Sequence, residues 1–421
     1  MTVRRKLLVL LAAAVMTASA PAFGALAQPS VVRADPADFT PHVEGGAERP
    51  AVHALAQRGR TIYAGGAFSV VADSGRNRSV SRENLVSFDA VTGAIRGLAP
   101  NVGGAVYALR PAGRWLYVGG DFARVNGVQR RGIARINATT GAVDPGFNAR
   151  LDGRVTEIRL VGTRLLVGGS FTQRLLALNP QTGAHTRYIG VRIAGSRGEA
   201  GTRGNVYRFA VNAARTRLVA VGNFRTVAGR SRNQAFMLNL GRRSTTLNGW
   251  HYQPLTNLCR SDTKRDYLRD VDFAPDGRYF VLVSTGGPPR AGGLGRDICD
   301  ATARFETRIA APRRPTWMNY TGGDTLHSVA ATGSAVYVQG HQRQLNAPVF
   351  AAGVRDRAIP VDRAGIGAIN PRTGRALTWN PGKTRGIGGK DFLATRAGLW
   401  VGSDGVRFAG EVHQGIAFCP R

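Results

Sequence analysis

Short runs of alternating apolar and polar residues recur along the chain with a period of about fifty residues, which is a spacing seen in repeat architectures. Residues 105–153 contain four such runs, which are separated by turns rich in Gly and Asn. Their period of two, together with their β-branched and aromatic content, predicts four short antiparallel strands. No long segment has the 3.6-residue period of an amphipathic helix. The pattern therefore predicts an all-β chain.

Seven copies of this pattern follow one another, and four strands per copy is typical of a β-propeller blade. The sequence thus predicts a seven-bladed β-propeller with four-stranded antiparallel blades, forming a single domain over residues 28–421. The predicted blades are about 51–104, 105–153, 154–204, 205–266, 267–323, 324–389, and 390–421 together with 36–46.

The seventh copy ends at Arg421, before its fourth strand, whereas the stretch "PADFTPHVEGG" near the start reads like the ending of a copy. We expect residues of about 38–43 to form the missing outermost strand beside residues 415–418. Such closure would hide strand edges that otherwise pair with other chains.

The stretch "LYVGGDFARVNGVQRRGIARINATTGAVDPGFNA" in the second copy resembles a blade of the delta-60-repeat β-propeller family, which comprises secreted bacterial proteins of unassigned function. The resemblance is tight in the second copy, weak in the fifth, and covers most of the chain after residue 27. It implies a propeller and assigns no catalytic residue, because the motif is structural.

Two turn motifs recur in the copies. Asn or Asp starts a turn that ends at Gly, as in Asn137–Gly141, and this is typical of a hairpin. A Gly-Gly pair follows the second strand at 65–66, 119–120 and 168–169. It lacks the strand–helix setting of a phosphate loop, and we interpret it as a site of close backbone approach or a bulge.

The N-terminus has the features of a secretory signal peptide, predicted to be residues 1–27. Arg4, Arg5 and Lys6 precede the apolar run "LLVLLAAAVM", and "ALA" at 25–27 fits a signal-peptidase site. No later segment is apolar and long enough to suggest a membrane span. We expect a secreted protein, in the extracellular space or the cell envelope.

The chain has three cysteines, so an exported protein of this sequence can form one intramolecular disulfide and one cysteine stays outside it. Cys259 and Cys299 lie in irregular loops of the fifth copy that should emerge on one face, which predicts a disulfide between them. Cys419 is then either an unpaired thiol or forms an intermolecular disulfide.

The chain is strongly basic, with 57 Lys and Arg against 26 Asp and Glu and a net charge of +31. A field of this sign attracts polyanions, although it can also serve solubility alone. Basic residues are frequent in the connections between the second and third strands. The candidate ligand-binding residues there are Arg76, Arg78, Arg82, Arg130, Arg131, Arg230, Arg232, Arg355 and Arg357. The opposite face also carries arginines, so an evenly basic surface remains the alternative.

The first strand of each blade should surround the central channel. One aligned position there holds His53, Tyr107, Thr156, Tyr207, Arg269, His327 and Lys390. The candidate channel-lining residues are Glu157, Arg208, Arg269, Asp270, His327 and Asp391. Charged groups on several inner strands can line a polar ligand cleft, or they can form ion pairs and hydrogen bonds between blades.

We therefore expect a secreted, monomeric binding or scaffolding module that recognises an acidic or carbohydrate-like ligand, or another envelope protein, through arginine-rich loops on one face. The alternative is a hydrolase or lyase that acts on an envelope polysaccharide at the channel mouth. No nucleophile elbow, metal-ligand spacing or calcium loop is present in the sequence. We expect no cofactor and no specific nucleic-acid recognition. A structural unit of a larger surface assembly is a third possibility.

Overall fold

The structure is a computed structural model that describes residues 26–46, 49–197, 204–260, 267–347 and 359–421. Most of the predicted signal peptide, residues 1–25, lies outside these ranges. The regular structure within them is β-strand, apart from one 3₁₀ turn at Gln253–Thr256. In the same ranges, no helix combines the length and apolar character needed to cross a bilayer.

The first four copies contain short strands, as the alternating pattern predicts. These strands are β1 (His42–Glu44), β2 (Ala51–Arg58), β3 (Thr61–Ala67), β4 (Val70–Ala72), β5 (Ser79–Ser81), β6 (Leu85–Asp89), β7 (Val106–Ala112), β8 (Trp115–Gly120), β9 (Arg124–Val125), β10 (Val128–Gln129), β11 (Ile133–Asn137), β12 (Val155–Val161), β13 (Arg164–Gly169), β14 (Leu175–Leu178), β15 (Ile193–Ala194), β16 (Val206–Val211), β17 (Arg217–Gly222), β18 (Thr226–Val227), β19 (Arg230–Ser231), β20 (Ala235–Leu240) and β21 (Thr245–Leu247).

The last three copies continue in the same way. Their strands are β22 (Leu268–Phe273), β23 (Tyr279–Ser284), β24 (Ala301–Glu306), β25 (Trp317–Tyr320), β26 (Leu326–Ala331), β27 (Val336–Gly340), β28 (Gln344–Leu345), β29 (Val361–Asp362), β30 (Ile366–Ile369), β31 (Gly389–Ala394), β32 (Gly398–Ser403), β33 (Arg407–Phe408), β34 (Glu411–Val412) and β35 (Ile416–Pro420).

Across the described residues, each copy contributes one antiparallel sheet in which consecutive main strands are neighbours. The sheets are β2-β3-β6, β7-β8-β11, β12-β13-β14, β16-β17-β20-β21, β22-β23-β24-β25, β26-β27-β30 and β31-β32-β35. The prediction of four strands per sheet is therefore correct only for the fourth and fifth copies. In five copies the connection after the second main strand forms a small hairpin of its own.

In four of the three-stranded sheets the predicted fourth strand is reduced to a single β-bridge. The bridges are Phe88↔Ile95, Ile136↔Val143, Leu178↔His185 and Ile369↔Ala376. The segment leaves the sheet soon after the bridge. In the second copy the cause is plain, since Pro145 has no N–H with which to continue the ladder.

Apolar side chains from neighbouring sheets form the core. Leu109 and Val118 of the second sheet pack with Ala54 and Tyr63 of the first, and similar buried clusters lie between the following sheets. The last sheet also packs against the first, where Trp400 shares a cluster with residues of β2 and β3. Burial of this apolar area between sheets is the main favourable contribution to the fold.

The N-terminal segment lies beside the last strand, but not in the predicted arrangement. The backbone N–H groups of Arg33 and Ala37 donate to the carbonyl oxygens of Pro420 and Phe418, at 2.8 Å in both cases. The strand itself is β1, which is displaced from the predicted residues 38–43 and pairs with β4. Pairing of a pre-blade segment with the next small hairpin also occurs at β15 and β18, so β1 follows the repeat.

The predicted disulfide is confirmed. Cys259 and Cys299 are bonded, with their Cα atoms 5.7 Å apart, and they join the link before β22 to the connection between β23 and β24. Cys419 is unpaired and fully buried, and burial raises the pKa of its thiol.

Val43 tests the contribution of the N-terminal segment to stability. Its side chain is fully buried in the cluster that joins the first and last sheets. We expect Val43→Ala to lower the free energy of unfolding by about 2 kcal/mol, because buried apolar area is lost and a cavity remains. Val91→Ala is the matched control, since Val91 is 60% exposed. Equal denaturant midpoints for the two variants would contradict a structural role for the segment.

Candidate functional site

A β-bulge occurs at the same place in the first strand of all seven sheets. In the first sheet Val52 pairs with Gly66 and Ala54 with Gly65, so His53 has no partner across the ladder. The register shifts in the same way in the other six sheets. The unpaired residues are His53, Tyr107, Thr156, Tyr207, Arg269, His327 and Lys390. They are the residues that the sequence alignment placed at one level of the channel.

A glycine faces this bulge in five of the seven sheets, and Ser284 and Ser403 face it in the fifth and seventh. A Cβ atom on Gly66 would come within 1.8 Å of the carbonyl oxygen of Ala51, at the start of the inner strand. The second glycine of the copies at Gly120, Gly169, Gly222 and Gly340 has the same close contact. The predicted close backbone approach is thus found, and it shapes the inner strand where the bulged side chain emerges.

The seven bulged side chains, which we call the mouth, are each partly exposed, and each follows a buried residue of the inner strand. The rings of His53 and Tyr107 are 4.9 Å apart between centroids. On the other side, the Arg269 guanidinium lies over the rings of Tyr207 and Tyr267 and donates a 2.8 Å hydrogen bond to Nδ1 of His327. The mouth therefore combines aromatic surfaces with cationic groups.

The cations of the mouth form no ion pair among the described residues, although the carboxylate of Asp404 attracts the Lys390 ammonium and opposes the lowering of its pKa by burial. Among the described residues, neither Arg269 nor Lys390 forms an ion pair, and the Lys390 ammonium has no hydrogen-bond acceptor. Burial first, and then the positive charges of Lys390 and Arg208, lower the pKa of His53 to about 3. Burial and Arg269 lower the pKa of His327 well below its usual value. Both imidazoles are thus neutral at neutral pH, and the positive charge resides on Arg269 and Lys390.

Arg208 forms the floor of the mouth. Its guanidinium donates to the carbonyl oxygens of four mouth residues that belong to four other sheets. The acceptors are His53, Tyr107, Thr156 and Lys390, at 3.0–3.3 Å. It also pairs with Glu157, whose Oε2 lies 3.2 Å from Nη1. A planar group with several N–H donors suits such a convergence of carbonyls.

The acidic candidates lie beside and below Arg208, where they join neighbouring inner strands. Asp270 accepts hydrogen bonds from the backbone N–H groups of Val271 and Val329, the latter on the next sheet. Asp391 accepts from the N–H of Leu55 on the first sheet, at 2.7 Å. Glu157, Asp270 and Asp391 thus make contacts between sheets, which the sequence analysis gave as the alternative to a ligand cleft.

Several arginines of the candidate loop set have a repeated structural contact. Arg82, Arg130 and Arg232 each donate from Nη1 to the carbonyl of the preceding residue. Arg82 and Arg130 also reach the link that leads to the next sheet, at Arg96 and Asp144. Arg363, which the sequence analysis did not single out, makes the same two kinds of contact. The signal was present in the sequence, because these arginines occupy equivalent positions in their copies.

The other loop arginines stand at the rim. Arg78, Arg131 and Arg230 are exposed, while Arg76 pairs with Glu44 and contacts Gln414. Arg355 and Arg357 lie outside the described residues. The small hairpins begin where the second main strand ends, next to the bulge, so the exposed arginines surround the same end of the sheets as the mouth.

The described residues contain no cluster of three or more His, Cys, Asp or Glu side chains that could hold a metal ion. Comparison with known proteins supports the fold class. Residues 113–147 match a family model described as "Domain of unknown function (DUF5122) beta-propeller". The chain is therefore an all-β protein with a propeller-like repeat.

Curated proteins and solved structures were also compared with the chain. Curated proteins gave no match. A crystal structure of the computationally designed Ika8 protein is similar with a TM-score of 0.47 and 10% identity, over 90% of this chain and 100% of that chain. This likeness is too distant to support a statement about fold or function.

The variant Arg208→Gln tests whether the Arg208 guanidinium holds the inner strands together. The change leaves Glu157 without its buried partner and leaves carbonyl oxygens without donors, so we expect a loss of about 3–5 kcal/mol in the free energy of unfolding. Arg372→Gln is the control, because Arg372 is exposed and we expect a change within about 0.5 kcal/mol. Chemical denaturation measures both. A loss below about 1 kcal/mol for Arg208→Gln would show that the guanidinium does not hold the inner strands together.

The raised pKa of the Asp270 carboxyl predicts how the free energy of unfolding depends on pH. Burial raises the pKa of its carboxyl to about 7, against an unfolded value of about 3.9. The folded chain then binds more protons between these values, so the free energy of unfolding should fall as pH rises from about 4 to about 7.

The matched variants isolate this effect. Asp270→Asn should reduce this pH dependence without abolishing it, because burial also raises the pKa of Asp272 to about 7 and that of Asp391 to about 6, whereas Asp276→Asn, at an exposed turn, should leave it unchanged. The comparison uses denaturant titrations at several pH values. An identical slope in Asp270→Asn and the unmodified chain would refute the assignment.

Proposed function

We propose that this protein is a secreted seven-bladed β-propeller of the delta-60-repeat type that binds an acidic, carbohydrate-like ligand of the envelope or extracellular space at the mouth. The observation that carries the proposal is the pair of cations, Arg269 and Lys390, which form no ion pair among the described residues, with Arg269 lying over the rings of Tyr207 and Tyr267. Clefts that combine apolar surface with a few converging polar groups are typical of ligand sites.

Seven blades and closure by the N-terminal segment are part of the proposal. The shared core between the last and first sheets supports a ring, as do the contacts of Arg208 with four other sheets. The N–H of Ala37 donates to the carbonyl of Phe418, just as that of Arg96 donates to Ser87 in the first sheet. Residues around Ala37 thus stand where the fourth segment of the last blade belongs.

The chemistry of the mouth favours a sugar that carries a carboxylate. A guanidinium binds a carboxylate with two parallel N–H donors, and an ammonium adds a second positive charge. The faces of Tyr107, Tyr207 and Tyr267 offer flat apolar surface against which a sugar ring can pack. A ligand with one anionic group and one apolar face fits both features.

The surroundings of the mouth support attraction of an acidic polymer. The exposed rim arginines add positive potential at the same end of the sheets, which raises the rate of encounter with anions. The disulfide between Cys259 and Cys299 agrees with an oxidising compartment, and the predicted signal peptide would deliver the chain there. Salt should weaken the binding, because the rim charges are exposed.

The double variant Arg269→Gln, Lys390→Gln tests the mouth. With tetragalacturonate as the probe, we expect affinity to fall by about tenfold or more, because charge-assisted hydrogen bonds are lost. Arg58→Gln, Arg372→Gln removes the same charge from exposed positions and should change affinity by no more than about twofold.

Isothermal titration calorimetry at low and high salt measures these affinities, and a neutral oligosaccharide of the same length serves as the uncharged probe. Equal affinities for the two double variants would contradict the mouth as the site. Binding that does not respond to salt would contradict the electrostatic part of the proposal.

A further inference from the structure

A second concave site, which involves none of the seven mouth residues, lies along the link that follows β21, between the connection of β19 to β20 and the loop between β24 and β25. It consists of two adjoining cavities of about 250 and 420 Å³, which share His251 and Gln253 in their walls. The smaller cavity presents hydroxyl and amide groups, including those of Ser231 and Asn233, and is also lined by the candidate loop arginine Arg232. The larger is lined by guanidinium groups, those of Arg296, Arg313 and Arg314. No residue of an inner strand contributes to either cavity.

The loop between β24 and β25 is a departure from the repeat. The equivalent connection in the second copy is the tight turn Asn137–Gly141, whereas the fifth copy has the ten residues 307–316, "TRIAAPRRPT". The loop is held in place, since the backbone N–H of His251 donates to the carbonyl of Ala310 at 2.8 Å. The Tyr252 ring packs on Phe305 with 4.9 Å between centroids, and its hydroxyl donates to the carbonyl of Arg296. The cleft is therefore built jointly by the fourth and fifth copies.

The arginines of the larger cavity carry charge that the described residues do not neutralise. Arg296, Arg313 and Arg314 form no ion pair within the described part of the chain, and no acidic side chain lines the cavity. Exposed cations that gather in a concavity without counter-charges create a local positive potential. Guanidinium groups also match carboxylates in geometry, with two donors for two oxygens.

We propose that this cleft is a second binding site, for a segment of an acidic oligosaccharide. The carboxylates of the ligand pair with Arg313 and Arg314 in the larger cavity. A neighbouring sugar unit places its hydroxyl groups against the polar side chains of the smaller cavity, which a lone anion would leave unused. Two linked cavities of different chemistry fit a chain of joined units, since one ligand then satisfies both. The site is separate from the mouth and does not depend on it.

The test uses the full chain with Arg269→Gln and Lys390→Gln already in place, so that the mouth does not contribute. Tetragalacturonate is titrated by calorimetry into this background, and into the same background with Arg313→Gln and Arg314→Gln. We expect saturable binding in the first and a loss of about tenfold or more in the second. Arg308→Gln in the background is the control, because Arg308 is an exposed arginine of the same loop that does not line the cavity.

The outcomes separate the parts of the proposal. Unchanged affinity after Arg313→Gln and Arg314→Gln, or no saturable binding in the background, would overturn the site. A neutral oligosaccharide that binds as tightly would overturn the role of the arginines. Inorganic phosphate that binds as tightly as tetragalacturonate would overturn the assignment to a glycan. If Arg269→Gln and Lys390→Gln do not change the affinity of the unmodified chain, the proposal for the mouth is wrong. The test of the second site can still be interpreted, because both of its variants carry these two changes.

Discussion

The close approach between the second main strand and the start of the inner strand is the constraint on which the rest of the structure depends. At Gly66 a Cβ atom would overlap the carbonyl oxygen of Ala51, so glycine allows the closest approach here, whereas Ser284 and Ser403 occupy this position in the fifth and seventh sheets. The same contact recurs in four other copies, and the register shifts beside it in all seven inner strands. The bulge turns one side chain per copy toward the mouth. The bulge, which forms with either glycine or serine at the facing position, thus decides which side chain of each copy reaches the mouth.

Negatively and positively charged side chains occupy different levels around the bulged residues. Below them the acids Glu157, Asp270 and Asp391 are buried with Arg208, and their oxygens accept backbone or guanidinium hydrogen bonds. At the level of the mouth Arg269 lies over two tyrosine rings, and the positive charge of Lys390 acts on the neutral imidazoles of His53 and His327. The buried charges are satisfied within the protein and stabilise the arrangement of inner strands. Arg269 at the mouth instead donates hydrogen bonds to the Tyr267 hydroxyl and to His327, and neither it nor Lys390 forms an ion pair among the described residues; the proposed binding of an acidic ligand depends on this difference.

Much of this arrangement could be predicted from the sequence, because repetition carries the information. Alternation predicted the strands, alignment of the copies placed His53 and Tyr107 at one level, and the loops of the weakest copy predicted the Cys259–Cys299 disulfide. The partners of Arg208 could not be predicted, since they belong to four other sheets and depend on the assembled core. The number of strands per sheet was wrong in most copies, because a short segment can make one bridge and then leave.

The most direct test of the account is a crystal structure of the protein with tetragalacturonate bound. We predict that a carboxylate of the ligand lies within hydrogen-bond distance of the Arg269 guanidinium and the Lys390 ammonium, and that a sugar ring packs against a tyrosine of the mouth. An empty mouth in crystals whose mouth is open to solvent, at a ligand concentration that saturates the protein in solution, would contradict it.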